Sequence, residues 1–466
     1  MGNSQPQRKK LVIIGGSFAG LLILDKVKED FDITLIEKKD HFEWICSLPH
    51  SMVDLDYFEN EATVDLKQCI SVDRVFGPNV EYLQGMVTEI ADDHSLKYKP
   101  TEGLDSDQGL QDIEEETCQF DLLIICTGSV YKINEKSAKD AATIFSIKER
   151  TRLIKKYHDR IDSAKEILVV GGGSTGVESL GEIINKYGDE KEYNMITNQD
   201  RLLHGFPEGL SRRASDYFTG KRTFKDLHLN QYFSPENNQS EDHNFSLMCA
   251  GMDYYTPFMN FNFKDCVDQR GRIFVNQYFQ VTNQDPTQQE IGHPKTYDNI
   301  FCYGDACLSC MQEVKNVPAI RETSYTVKKN LLAIAYGGKL TKMSYAVDQV
   351  AAVYYSKWRG FLVLNDLAIP NCATLLAKKS IEKTFMSKFK NKCCGKFRFC
   401  IYNFQVNFSS CYLNTCCCCC PCSKRRRYKE RRAALRALIA QHNSEEEKNP
   451  LFKDGQEERM IELKSK

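Results

Sequence analysis

The apolar residues of this chain gather in short, unbroken runs. Leu11-Val12-Ile13-Ile14, Leu122-Leu123-Ile124-Ile125 and Ile167-Leu168-Val169-Val170 are made of β-formers with no polar interruption. A short apolar run bounded by turn residues predicts a strand buried on both faces, as in a parallel sheet. The first and third run straight into glycine-rich loops, and a helix-length segment follows each loop. A further strand is predicted after each helix, at Asp32-Ile33-Thr34-Leu35-Ile36 and at roughly Tyr193 to Thr197. The stretch from Val317 to Tyr336 has a helical pattern. Polar segments from Thr101 to Glu116 and from Ser234 to Asn244 interrupt the pattern and read as looped insertions, which cost little entropy.

The loops are the most specific local feature. The second reads Gly171-Gly172-Gly173-Ser174-Thr175-Gly176-Val177-Glu178 and fits Gly-x-Gly-x-x-Gly at Gly171, Gly173 and Gly176. The first reads Gly15-Gly16-Ser17-Phe18-Ala19-Gly20, with Ser17 where the second glycine belongs. Glycine is needed where a buried strand turns sharply into a helix, where the backbone nears a pyrophosphate, and where helix and strand pack closely. The phosphates then meet free N–H groups at the positive end of the helix. Serine is small and its hydroxyl can reach a phosphate, so Ser17 reads as a tolerated departure. The strand after the first loop ends at Glu37, 22 residues beyond Gly15, where a carboxylate accepts both ribose hydroxyls of an adenosine. The strand after the second ends in Asn198-Gln199-Asp200-Arg201, which leaves NADH and NADPH both open. Two dinucleotide sites in one chain imply hydride passage between them.

With Phe120-Asp121-Leu122-Leu123-Ile124-Ile125-Cys126-Thr127-Gly128-Ser129 and Asn299-Ile300-Phe301-Cys302-Tyr303-Gly304-Asp305-Ala306 in the same order, the chain resembles the two-dinucleotide flavoprotein reductases. Among these it is most similar to apoptosis-inducing-factor homologues of the ferroptosis-suppressor type, relatives of type II NADH dehydrogenases. The resemblance implies an α/β fold of two interleaved Rossmann-like domains plus a C-terminal extension. It places the FAD domain in residues 1–140 with a return segment at 295–340. The NAD(P)H domain takes residues 145–290, a membrane-facing region residues 341–410, and a Cys-rich, basic tail residues 411–466. It implies that Gly15, Gly16, Ser17, Phe18, Ala19, Gly20 and Glu37 hold the ADP half of FAD. Val87 would line the adenine, Thr127 and Gly128 would close the loop beside the flavin, and Asp305 would meet the ribityl chain or pyrophosphate. Gly171, Gly173 and Gly176 would hold NADH or NADPH, and Glu178 would point toward nicotinamide and flavin as the candidate catalytic residue. His50 stands where relatives often place an arginine, and is not counted among the ligands.

Composition narrows the alternatives. A chain of 466 residues has room for two or three domains. Its net charge of −1 argues against a nucleic-acid partner. No apolar run is long enough for a transmembrane helix, and the polar start Met1-Gly2-Asn3-Ser4-Gln5-Pro6 is no secretory signal. Disulfide reductases of this superfamily carry a close cysteine pair after the first nucleotide strand. Here His41-Phe42-Glu43-Trp44-Ile45-Cys46-Ser47-Leu48-Pro49 has one cysteine. Cys302, Cys307 and Cys310 have no second cluster to complete a metal site, and no metal is expected.

Beyond residue 340 the resemblance fades. Half of the 20 cysteines lie between Cys393 and Cys422, with Cys416 to Cys420 adjacent. Lys424 to Arg427, Lys429, Arg431 and Arg432 follow, and an aromatic stretch, Phe397 to Phe408, precedes them. Five adjacent cysteines cannot all face one tetrahedral zinc. S-acylated cysteines beside a polybasic patch match a two-signal lipid anchor, to which myristoylation at Gly2 would add despite Pro6. The segment Tyr428 to Gln441 reads as a short basic helix and the remaining tail as disordered. These features predict a peripheral, lipid-anchored protein at the cytoplasmic face of a membrane, with a cytosolic pool. The expected activity is FAD-dependent transfer of electrons from NAD(P)H to a quinone. The alternatives are an NAD(P)H-sensing flavoprotein whose output is partner binding, and a reductase for another acceptor.

Overall fold

The structure, a computed structural model, describes residues 8–71, 77–104, 110–131, 144–234, 245–288, 294–309, 315–343, 350–364, 367–371, 378–379, 381–382 and 385–386. The Cys416–Cys422 cluster, the basic residues after it, Gly2, the Phe397–Phe408 stretch, the Tyr428–Gln441 segment, residues 105–109 of the first looped insertion and residues 235–244 of the second lie outside the described residues.

The apolar runs form the strands they predict. β1 (Lys10–Ile14), α1 (Phe18–Val27) and β2 (Asp32–Glu37) make the first strand–helix–strand unit. They are followed by a one-turn helix α2 (Leu48–Ser51) and by β3 (Val80–Ile90), β4 (Ser95–Pro100), β5 (Glu116–Gln119) and β6 (Leu122–Ile125). With β11 (Gln280–Thr282) and β12 (Thr296–Cys302) these strands form one 8-stranded sheet in the order β11-β12-β6-β1-β2-β3-β4-β5. Its centre, from β12 to β3, is parallel, and antiparallel strands finish both edges. All four residues of β6 are buried, as its apolar run requires.

A long helix, α3 (Ile147–Ser163), leads to the second unit. Its start is fixed by a capping box in which Ser146 and Glu149 satisfy each other's backbone N–H groups. β7 (Glu166–Val170), α4 (Ser174–Tyr187), β8 (Glu192–Ile196), α5 (Glu208–Thr219), β9 (Phe224–His228) and β10 (Phe245–Met248) follow. The four strands form a parallel sheet in the order β9-β8-β7-β10.

The chain returns to the first sheet earlier than residue 290. Phe258, Met259, Phe263, Ile273 and Phe279 are buried in the first core, and β11 pairs with β12. These residues mix apolar and turn types without a fixed period, so the crossing left no pattern in the sequence. The helix α6 (Val317–Tyr336) packs on α1, with Asn316 accepting from the Ala319 N–H at its start.

The last described strands, β13 (Val350–Ser356), β14 (Arg359–Leu364) and β15 (Leu367–Asn371), form an antiparallel sheet. β13 lies on α4, and Val353, Tyr355, Phe361 and Val363 extend the second core. Phe385 and Met386 instead enter the first core, where Phe385 packs against Phe18, Phe42 and Trp44. The C-terminal segment therefore contributes to both cores.

One buried ion pair ties α3 to the first unit. Arg150 donates from Nε and Nη2 to the two carboxylate oxygens of Glu43, at 2.8 and 2.9 Å. Both side chains are under a tenth exposed. Removing one partner strands a buried charge, so Arg150→Met is expected to lose about 3–5 kcal/mol in urea unfolding. Glu43→Gln combined with Arg150→Met is expected to recover much of that loss. A single variant as stable as wild type would mean that water reaches Glu43.

Candidate functional site

The two glycine loops are built alike. Gly15 (φ +106°) and Gly171 (φ +114°) make the strand-to-helix turn in a backbone region closed to other residues. A side chain on Gly20 would run into the Gly15 carbonyl, and one on Gly176 into that of Gly171. Ser17 and Gly173 occupy the same helix N-cap position with extended backbones, φ −104° and −74°. Nothing in that conformation demands glycine, which is the physical reason serine is accepted at 17. The loops differ in surroundings: Gly15 and Gly16 are buried, whereas Gly173 is exposed.

A cleft runs from the first loop across the end of the parallel sheet. Gly15, Ser17, Phe18 and Ala19 line it together with Glu37, Val87, Thr127, Gly128 and Asp305. Gly16 and Gly20 stand behind it within the turn. Glu37 is buried at the end of β2, where its carboxylate accepts from the Gly16 N–H at 2.6 Å and the Lys39 N–H at 3.0 Å. A carboxylate has about four acceptor sites, so it retains capacity for hydroxyl donors. Ser17 caps α1 without a side-chain hydrogen bond, and the first N–H groups of a helix have no partner within it. Thr127 Oγ1 is buried with no hydrogen-bond partner among the described residues. Asp305 accepts from Ser129 Oγ at 2.8 Å, and Tyr303 beside it donates from its hydroxyl to the Ala19 carbonyl.

Four further cleft residues escaped the sequence reading. Lys38, Lys39 and Arg150 add positive charge to the wall, and Tyr255 adds an aromatic face. Burial pulls the Lys38 ammonium from its ordinary 10.5 down to about 8, against the pull of Glu37. Lys38 and Lys39 directly follow Glu37 and were visible as such. Arg150 is carried in from a helix far along the chain.

Gly171, Gly173 and Gly176 form the second loop, outside this cleft. Glu178 lies one turn into α4, and it is buried. Its Oε1 accepts from Lys378 Nζ at 2.7 Å and from the Tyr354 N–H at 3.4 Å. Burial holds its carboxyl above the usual carboxylate range, with Lys378 opposing. The Glu178 charge acts on the Cys46 thiol, in a segment that lines part of the first cleft. Ile45 and Leu48 line that cleft, and the charges of Lys378, Glu178, Asp305 and Glu382 converge on the Cys46 thiol. Burial pushes this thiol up to about 11, so it stays protonated and a poor nucleophile.

His50 serves an arrangement that the sequence did not indicate. Its Nδ1 lies 3.1 Å from Glu182 Oε2, and Glu182 is buried one turn beyond Glu178 on α4. Among the described residues no helix is long and apolar enough to cross a membrane.

Comparison with known proteins agrees with this geometry. Ferroptosis suppressor protein 1 of Xenopus tropicalis is 27% identical over 64% of this chain and 73% of its own length. The type II NADH:quinone oxidoreductase of Staphylococcus aureus is 27% identical over 45% of this chain and 54% of its own. The structure of NDH2 from Plasmodium falciparum in complex with NADH superposes with a TM-score of 0.59. It covers 84% of this chain and 99% of that one at 13% identity, a likeness of fold. The family model described as pyridine nucleotide-disulphide oxidoreductase matches residues 9–322. With both glycine turns, both parallel sheets and that match in hand, the chain belongs to the pyridine nucleotide-disulphide oxidoreductases, a family of flavoproteins that pair FAD with a pyridine nucleotide.

Proposed function

We propose that this protein is an FAD-dependent NAD(P)H oxidoreductase that delivers electrons to a quinone. The observation that carries this reading is the first-loop cleft, together with the buried Glu178–Lys378 pair whose charges act on Cys46 between the cleft residues Ile45 and Leu48.

The first cleft suits FAD. Its free helix-terminal N–H groups and the lysines at its wall match a pyrophosphate, and Glu37 matches ribose hydroxyls. Thr127 Oγ1 awaits a polar partner, and no atom crowds the Cα of Gly128. In this reading Gly15 to Gly20, Glu37, Val87, Thr127, Gly128 and Asp305 hold FAD. Gly171, Gly173 and Gly176 hold NADH or NADPH. The bound flavin supplies the hydride-accepting chemistry.

The protein's own residues supply alignment, dryness and proton handling. Glu178, its carboxyl held above the usual range by burial, is the group that would give a proton to a reduced acceptor. Once that proton leaves, the Lys378 ammonium at 2.7 Å stabilises the carboxylate left behind. The Cys46 thiol, held up by burial, stays out of the redox chemistry, which favours a small diffusible acceptor over a disulfide. The name of the Staphylococcus aureus relative points to a quinone. The membrane side of the proposal rests on the sequence from Cys416 to Arg432, read as an acylated, polybasic anchor.

Steady-state assays of the purified protein with NADH and NADPH against soluble quinones, ferricyanide and oxygen test the reading. Quinone turnover within the ordinary enzyme range of about 1–1000 per second is expected. Ferricyanide reduction without quinone reduction would overturn the acceptor. Glu37→Arg is expected to weaken FAD by about ten- to a hundredfold, because charged hydrogen bonds are worth about 1.5–3 kcal/mol each. Full flavin occupancy after purification and dialysis would show that Glu37 does not hold the ribose. Gly173→Val discriminates binding from folding, since no atom lies within 4 Å of a side chain added there. The variant is expected to melt with wild type and keep its yellow flavin, while anaerobic NADH no longer bleaches it at the wild-type rate. Normal bleaching would place the nicotinamide elsewhere.

A further inference from the structure

A quinone reduced by NAD(P)H takes up one proton from water. In NAD(P)H + H⁺ + quinone → NAD(P)⁺ + quinol, the nicotinamide is oxidised by two electrons and the quinone reduced. One hydrogen arrives as hydride and the other as a proton. Glu178 can hold that proton, but it is buried under β13 and Lys378. A buried donor must be reloaded after every turnover.

We infer that Glu182 and His50 form the relay that reloads Glu178 from solvent, a role that rests on the quinone-reductase reading above. The row runs along one face of α4 and out through α2 and the segment after it. Glu178 and Glu182 are one helical turn apart, and i, i+4 side chains are neighbours. Tyr354 spans the two, with its N–H on Glu178 and its hydroxyl on Glu182. Glu182 Oε2 meets His50 Nδ1 at 3.1 Å, and on the far side of the ring His50 Nε2 lies 3.8 Å from Asp54 Oδ2. Exposure rises along the row: 7% for Glu178 and Glu182, 19% for His50 and 47% for Asp54.

An imidazole with its two nitrogens facing in opposite directions takes a proton on one side as it gives one on the other, and then turns or exchanges its ring proton with water to regain the Nδ1–H form. The Nδ1–H bond breaks as a Glu182 O–H forms, and Nε2 takes a proton from water beside Asp54. Glu182 then passes its proton to Glu178, its neighbour one turn back on α4. No charge accumulates over a full cycle.

The surroundings fit this use. The groups facing His50 are Asp54 and Tyr57 from its own region, Glu182 from α4 and Glu382 from the C-terminal segment. Tyr57 donates to Glu382 and is held in its neutral form by burial and by that carboxylate. Glu182 faces Glu178, Tyr354, Lys379 and His50, and Lys186 one turn further along is bound to the Val53 carbonyl. Burial pushes Glu182 up, but His50, Tyr354 and Lys379 together outweigh it and leave the carboxyl below the usual range, while Glu178 is held above it. Two neighbouring carboxyls driven apart in this way divide the work of keeping a proton and receiving one.

The test compares acceptors that differ in proton demand. In His50→Gln and Glu182→Gln, turnover with a water-soluble quinone is expected to fall by about tenfold, the lower end for a lost proton-transfer group. Ferricyanide, which takes electrons alone, is expected to be reduced at the wild-type rate. The solvent deuterium effect on quinone turnover should rise in both variants, and added imidazole should restore His50→Ala. A readout independent of turnover is the infrared difference spectrum on photoreduction of the flavin, expected to contain a carboxyl band that disappears in Glu182→Gln. Wild-type quinone rates in both variants, or a spectrum with no Glu182-dependent band, would overturn the relay alone. An equal loss with ferricyanide would mark a structural role and overturn it too. If the wild type reduces ferricyanide but no quinone, the functional reading falls and takes the relay with it.

Discussion

The site depends on how closely β13 approaches α4. Gly181 sits between Glu178 and Glu182 on that helix, and a methyl group there would lie 2.7 Å from the Tyr355 carbonyl. Only a residue without a side chain lets the strand lie this close. The approach puts the Tyr354 N–H on Glu178, brings Tyr355 into the second core and carries the chain on toward Lys378. A larger residue at 181 would push the strand outward and leave two carboxyls buried with fewer partners, a costly state in a medium of low dielectric constant.

That contact also explains why a segment so far along the chain belongs with the glycine loops. The antiparallel sheet covers α4, and Phe385 fills a gap between Phe18, Phe42 and Trp44 beside the first loop. Aromatic contacts of this kind have a preferred geometry, so they hold the segment in place beside the first loop. The segment supplies an ammonium and a backbone donor to Glu178 and an aromatic ring beside the first loop.

Much of this was legible in the sequence, and the rest was not for a definable reason. Gly15, Gly171 and Glu37 were readable because a strand, a turn and a helix are contiguous, so their chemistry keeps a fixed spacing. The Glu43–Arg150 and Glu178–Lys378 pairs join residues separated by 107 and 200 positions, and no spacing rule connects them. His50 looked like a weakened substitute for an arginine because its partner, Glu182, is 132 residues away. The earlier return to the first sheet was hidden as well, because Phe258 to Phe279 bury their apolar side chains from turns and short bridges that keep no period.

The unequal burial of the two glycine loops has a bearing on the lifetimes of what they hold. The first loop lines a walled cleft together with Glu37, Thr127 and Asp305, whereas the second ends at an exposed Gly173 with open space before it. In the reading proposed above, a dinucleotide in the walled cleft exchanges more slowly than one on the exposed loop. The slow one adds its binding energy to the stability of the fold, while the fast one answers to its concentration in the surrounding medium.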